Sequence, residues 1–439
     1  MNNFKRYFQF LLIVLAAGSI YPLIYLRSSY QETILQVFNM TNEQLNGIYS
    51  GLGLAFLAGY FPSGWIADKF SAKKLLFVSM FMCGLAGIWF AQIPNYSTVL
   101  IIFIIWGIFA VFTFWASHLK LVKLIAKKEE EGRFFGILDG GRGVVEAILA
   151  SIAIFIFSRT LGGSESLEAS RQALQAVIYL YSIVMLVVAV LVLLFVKENT
   201  EKAAELSDVP KTAPMKLNAA TLKKIFTNKL VWLLGSVILF SYAVFWSNFY
   251  LGGFLQTNIE IDAVTVGTVM LIFLWTRPIG GVGGGILADK FGKSSILMVA
   301  LAFAALLYIT LGILPSTMPQ MTFKILVILI GVMVFTIRGL YWALLGDCEI
   351  EPSILGLSIG FISLLGYLPD FFWPVINTNF TTNLGNYQGQ NAFFIFTGAI
   401  ALVAVVCTAL FKAAVKKEAN LKVERQQNEN IRKAVTTSV

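Results

Sequence analysis

The chain has 439 residues, of which 57% are hydrophobic and only 13% charged, with a formal net charge of +9. Soluble proteins average nearer ~25% charged residues, so this chain cannot cover a water-facing surface and much of it must face lipid. One histidine and three cysteines without pair spacing give no basis for a metal centre, a disulfide framework or a cofactor.

A membrane-spanning helix needs roughly 20 mostly apolar residues. Twelve stretches qualify: 8–30, 44–67, 75–93, 97–119, 133–158, 172–196, 230–255, 263–287, 294–314, 323–345, 353–376 and 391–413. An all-α membrane protein of twelve helices is expected. The first stretch lacks a small-x-small cleavage site and reads as a retained helix. It closes on Tyr25-Leu26-Arg27-Ser-Ser-Tyr30.

The second stretch runs into Gly64-Trp-Ile-Ala-Asp68-Lys69-Phe70, and the fourth ends at His118, an interfacial position beside Lys120. The fifth carries Asp139, Arg142 and Glu146. Spacings of three and four put them on one helix face, so Arg142 either pairs with its own acids or binds a substrate. Glu146 is the deepest of these acids and a candidate proton carrier. Tyr242 and Trp246 on the seventh helix, with Tyr25 on the first, are candidate cavity-lining aromatics.

The eighth helix holds Arg277-Pro278 and a glycine-rich run ending in Gly285-Ile-Leu-Ala-Asp289-Lys290-Phe291-Gly292-Lys293. The tenth holds Arg338, and the eleventh Asp370, read as lying toward the outer side as a gate or an arginine partner. A charge at the bilayer centre costs roughly 2.5–3.5 kcal/mol even on a lenient scale. Arg277 and Arg338 have no acid within four residues and are candidate substrate ligands for an anion, because a guanidinium stays charged and offers five donors.

Lysine and arginine fix the orientation. One set of loops and ends holds 26 of the 33 basic residues and the alternate loops hold four, which places both termini in the cytoplasm of a plasma (inner) membrane protein. These charges flank spans and no nucleic-acid motif accompanies them, so their partner is the lipid bilayer. No nucleophile–base constellation points to an enzyme.

The Ala-Asp-Lys-Phe sequence occurs twice, 221 residues apart, each time joining the second and third helix of a six-helix unit. The expected division is 1–196, an N-terminal bundle; 197–229, a cytoplasmic linker; 230–413, a C-terminal bundle; and 414–439, a cytoplasmic tail. Repeated halves put a substrate site between them near the bilayer midplane.

The repeated loop resembles the signature Gly-x-x-x-Asp-Arg/Lys-x-Gly-Arg/Lys of the major facilitator superfamily, although Ser71 stands where that signature has glycine. The resemblance implies two pseudo-symmetric bundles, alternating access, a monomer, and a cytoplasmic gate at Asp68, Lys69, Asp289 and Lys290. The patches Tyr25–Tyr30 and Asn228-Lys229-Leu230-Val231-Trp232 are also similar to the glycerol-phosphate and hexose-phosphate permeases of the organophosphate:phosphate antiporter group. That similarity implies a substrate-binding role for Arg27. The group's second arginine would fall near Phe245, where none stands; Arg142 falls near its helix-five histidine, and Arg277 and Arg338 are additional. The expected cargo is a small organic anion (sugar phosphate, sulfonate or carboxylate), moved by proton symport or anion antiport. The alternatives are a carrier of a non-anionic solute or drug, and a transporter-like sugar-phosphate sensor.

Overall fold

A computed structural model describes residues 3–126, 130–164, 166–198, 224–348, 350 and 352–437. Most of the expected linker, and the last two residues of the expected tail, lie outside these. The described residues form twelve rods. They are α1 (Asn3–Ser19, then Tyr21–Ile24 and Arg27–Val37), α2 (Asn42–Lys69), α3 (Ala72–Phe90), α4 (Tyr96–Gly107, Ile108–Thr113 and Trp115–Ile125), α5 (Glu131–Leu161) and α6 (Leu167–Phe195). The second set comprises α7 (Lys229–Trp246, Ser247–Tyr250 and Leu251–Thr257), α8 (Ala263–Phe291), α9 (Lys293–Ile313), α10 (Gln320–Leu340 and Tyr341–Cys348), α11 (Pro352–Gly366 and Pro369–Leu384) and α12 (Asn386–Thr437).

Eleven of these rods are long and apolar enough to cross a bilayer. The other, α2, has 28 residues and is about 42 Å long at 1.5 Å per residue, but carries polar side chains toward its neighbours. The expected tail from residue 414 continues α12 as one helix.

Pairing within the halves is repeated. α3 packs on α6 as α9 packs on α12, and α2 on α4 as α8 packs on α10. Contacts between the halves obey the same two-fold relation: α2 meets α11, α5 meets α8, and the end of α1 meets the end of α7. Small residues make these approaches possible. A Cβ on Gly53 would lie 2.1 Å from the Asp370 carbonyl oxygen, and one on Gly252 would lie 2.1 Å from that of Ser28. In the glycine run of α8, Gly280 and Gly284 face α10, while Gly281, Gly283 and Gly285 have no close neighbour.

The two copies of the repeated loop turn differently. Gly292 takes φ +88°, ψ 135°, a conformation essentially reserved for glycine. Ser71 takes φ −60°, ψ 118° and caps α3, so no glycine is required there. Glu198, just beyond α6, reinforces that cap, accepting from the Ser71 hydroxyl and from the Ala72 amide at 3.1 Å. In the second copy Lys293 reaches Asp347, at the end of α10, at 3.3 Å.

Between the halves, the face away from the termini is sealed by a polar network around Arg27. Arg27 is fully buried. Its guanidinium lies 4.9 Å from the Tyr49 ring centre and 4.2 Å from that of Tyr250. It donates to Gln31 Oε1 at 2.7 Å and to Asn46 Oδ1 at 2.9 Å. Asn46 crosses to the other half, donating to Asn377 Oδ1 and Thr378 Oγ1, both at 2.9 Å. Tyr250 donates back to Asn46 at 3.3 Å.

Two outcomes follow from this packing. Gly292→Ala is expected to destabilise the protein by roughly 1–3 kcal/mol, whereas Ser71→Gly costs only a few tenths of a kcal/mol; thermal melts in detergent compare them. Arg27→Lys keeps the charge but loses the planar fork between two rings. Labelling of a cysteine placed at Thr378 by an impermeant maleimide is expected to rise about tenfold, since losing one to two hydrogen bonds is worth about 1.4 kcal/mol. An unchanged labelling rate would remove Arg27 from the seal.

Candidate functional site

Beneath the seal, between the halves, lies a cavity of about 140 Å³. Every half contributes helix breaks to its wall. Pro22 follows the first break of α1, and Tyr21 and Tyr25 on either side of it line the cavity. Pro278 cannot donate to the Leu274 carbonyl, which loosens α8 beside Arg277. In α4 a π-helical stretch, Ile108–Thr113, immediately precedes the lining residue Trp115.

The aromatic wall is continuous across the halves. Tyr25 stacks on Phe249 with ring centres 4.3 Å apart, and Tyr60 stacks on Tyr367 at 5.3 Å. Of the expected aromatics, Tyr25 and Tyr242 line the cavity. Trp246 does not: it is buried, with its indole nitrogen 2.8 Å from Asp370 Oδ1.

Arg142, Arg277 and Arg338 all line the cavity, with Glu146 among them. Glu146 holds two of the three. Its Oε1 accepts from Arg142 Nε at 2.9 Å and its Oε2 from Arg277 Nη1 at 2.5 Å. The second pair joins α5 to α8 and so crosses the halves. Asp139 approaches Arg277 Nη2 at 3.5 Å, but its side chain is 76% exposed, where solvent weakens such a pair.

Arg338 is arranged differently. It lies over Phe245 at 4.9 Å and Tyr242 at 5.3 Å, and donates to the Tyr341 hydroxyl. Among the described residues no carboxylate stands within ion-pair distance of it. It falls in the last turn of its α-helix, where the helix dipole favours a cation.

Asp370 lies in the first turn after the α11 break, the helix end that favours an anion. The sequence reading put it toward the outer side, as a gate or an arginine partner; it is buried and bonded to Tyr242. Tyr242 donates to its Oδ1 at 2.7 Å alongside Trp246, and its Oδ2 has no hydrogen-bond partner among the described residues.

Arg27, expected at the substrate, is walled off from the cavity although Leu26 and Ser28 line it. Among the described residues, the expected gate residues Lys69, Asp289 and Lys290 form no ion pair between the halves in this conformation. Lys69 lies over Trp65, Lys290 lies near Phe291, and Asp289 is exposed without an ion pair among the described residues. The Asp68 side chain lies outside the described set. His118 is buried against Phe114, not interfacial. Sequence reasoning missed Tyr60, Trp115, Phe249 and Tyr367, which carried no local signal beyond being aromatic in apolar runs.

Residues 7–374 match the family model of the Major Facilitator Superfamily. Along 94% of its length the chain is 27% identical to "Inner membrane protein YqcE" of Escherichia coli K12, covering 96% of that protein. It is 22% identical over 85% of its length to "Membrane sensor protein UhpC" of the same organism, covering 87% of it. Its fold is similar to that of a solved D-xylose–proton symporter, with a TM-score of 0.73, 13% identity, and coverage of 91% of this chain and 97% of that one. The chain belongs to the major facilitator superfamily, and is a membrane transporter that works by alternating access, not an enzyme.

Proposed function

We propose that this transporter carries a small organic anion of the sugar-phosphate, sulfonate or carboxylate class, and that Arg338 anchors its acidic group. The observation behind this reading is that, among the described residues, no carboxylate stands within ion-pair distance of Arg338 although it lines the cavity. A guanidinium cannot shed its charge, and an intramembrane cation without a counter-ion is costly. An anion delivered to Arg338 supplies the missing partner. Tyr25, Phe249 and Phe245, which share the cavity wall with it, offer aromatic surface for the body of such a solute.

The basic residues put the face bearing the termini in the cytoplasm. With the opposite face sealed by Arg27, the cavity is then inward-facing. Residues 1–196 and 230–413 rock as units joined by 197–229, and a single chain suffices. An anion shifts that balance only by binding the two states differently. Arg27 acts in the seal, and Asp68, Lys69, Asp289 and Lys290 belong to the gate of the opposite state.

Asp370 is the favoured proton carrier over Glu146. One of its oxygens is held by two donors and the other is free to bear a proton, whereas both Glu146 oxygens are committed to arginines. This supports proton symport over anion antiport. A sensor role is the second reading, carried by the similarity to a membrane sensor protein; it requires binding without flux.

Uptake into proteoliposomes across a panel of sugar phosphates, sulfonates and carboxylates tests the main reading. Saturable uptake is expected, with affinity lowered about tenfold to a hundredfold by Arg338→Gln, the worth of one charged hydrogen bond. Transport of a neutral solute unaffected by Arg277→Ala and Arg338→Ala would overturn it. Separately, Asp370→Asn is expected to keep exchange of internal for external substrate while losing accumulation driven by a pH gradient. Wild-type accumulation in that variant would remove Asp370 from coupling.

A further inference from the structure

The cavity contains a second place where an anion could bind, and the protein already fills it. Arg142 and Arg277 converge on one carboxylate, that of Glu146, at 2.9 and 2.5 Å. The three side chains are only 13–18% exposed. They lie where charges interact more strongly than in water. Arg338, by contrast, has no carboxylate within ion-pair distance among the described residues, and donates to the Tyr341 hydroxyl.

We propose that Glu146 is the charge-selectivity determinant of this transporter: an internal counter-anion that occupies the Arg142–Arg277 position and restricts the substrate to one acidic charge, held at Arg338. The proposal rests on the anion-transport reading above and narrows it. A solute with a second negative charge must either displace Glu146 from two guanidiniums or sit beside its carboxylate. Both are unfavourable, the second because like charges repel at short range. A solute with one acidic group meets no such competition. Specificity here comes from a repulsive element built against the wrong ligand.

Asp139 cannot replace Glu146 in this role. It reaches only Arg277, at 3.5 Å, from a side chain 76% exposed, where solvent screens it.

The test uses two probes that share a sulfo group and differ by one charge, methyl sulfate and sulfate. Binding to the purified full chain at neutral pH is read by calorimetry and by quenching of tryptophan fluorescence, Trp115 being in the cavity wall. Wild type is expected to favour methyl sulfate, and Arg338→Gln to weaken both probes. Glu146→Gln is expected to improve sulfate relative to methyl sulfate by about tenfold or more. Arg277→Gln leaves Glu146 in place and removes a cation, so it is expected to move the ratio the opposite way. This second variant keeps the test decisive if Glu146→Gln does not fold.

A sulfate-to-methyl-sulfate ratio that neither variant changes, with both probes still dependent on Arg338, overturns the role of Glu146 and leaves the anion reading standing. Binding of neither probe that depends on Arg338 overturns the anion reading itself, and this inference with it.

Discussion

A guanidinium stays ionised at any accessible pH, and the hydrocarbon interior tolerates an ionised group only when something nearby compensates it. The inter-half region of this protein is organised around that constraint. It holds four arginines and compensates them in three ways. Arg27 is given amide oxygens on its edge and aromatic rings on its faces. Arg142 and Arg277 share Glu146. Arg338 is given rings, a phenol and the C-terminal turn of a helix. Compensation by neutral groups is partial, and the proposed anion would complete it at the cavity wall.

The two-fold relation between the halves gives these arrangements their mechanical meaning. The α2–α11 and α5–α8 contacts are images of each other, yet they carry different chemistry. On the α2–α11 side the backbones touch at Gly53 and Asp370, and the polar partners are neutral asparagines and threonines. On the α5–α8 side an ion pair reaches across. Neutral contacts can break and reform without stranding a charge, which suits a seal that must open in every cycle. The ion pair sits instead at the cavity wall, where an incoming charge is felt.

The fold was legible because its signals are long-range: hydropathy averaged over twenty residues, and a loop repeated at half the chain length. Those properties survive errors of several residues at each boundary. The Arg142–Glu146 pair was legible too, since a spacing of four fixes a shared helix face. The Glu146–Arg277 pair was not, because nothing in two separate helices states their mutual rotation. The unusual Ser71 became intelligible only with the backbone angle. The first loop never enters the positive-φ region that Gly292 occupies.

Arg27 shows the same limit more sharply. By its place in the chain it follows a tyrosine-rich segment as a substrate-binding arginine would. Tyr25 does line the cavity, and two positions along a helical path point in nearly opposite directions. Beyond the break of α1, Arg27 therefore turns onto α2 and α7 while its neighbours face the solute. The local sequence patch specifies which residue types are present at that depth; the break at Pro22 and the path after Tyr25 decide which of them meets the cavity. A basic residue in a matching patch thus identifies a membrane depth and a need for compensation. Its function depends on what the other half supplies, and here the other half supplies Tyr250 and an asparagine-linked seal, while Arg338 of α10 lines the cavity.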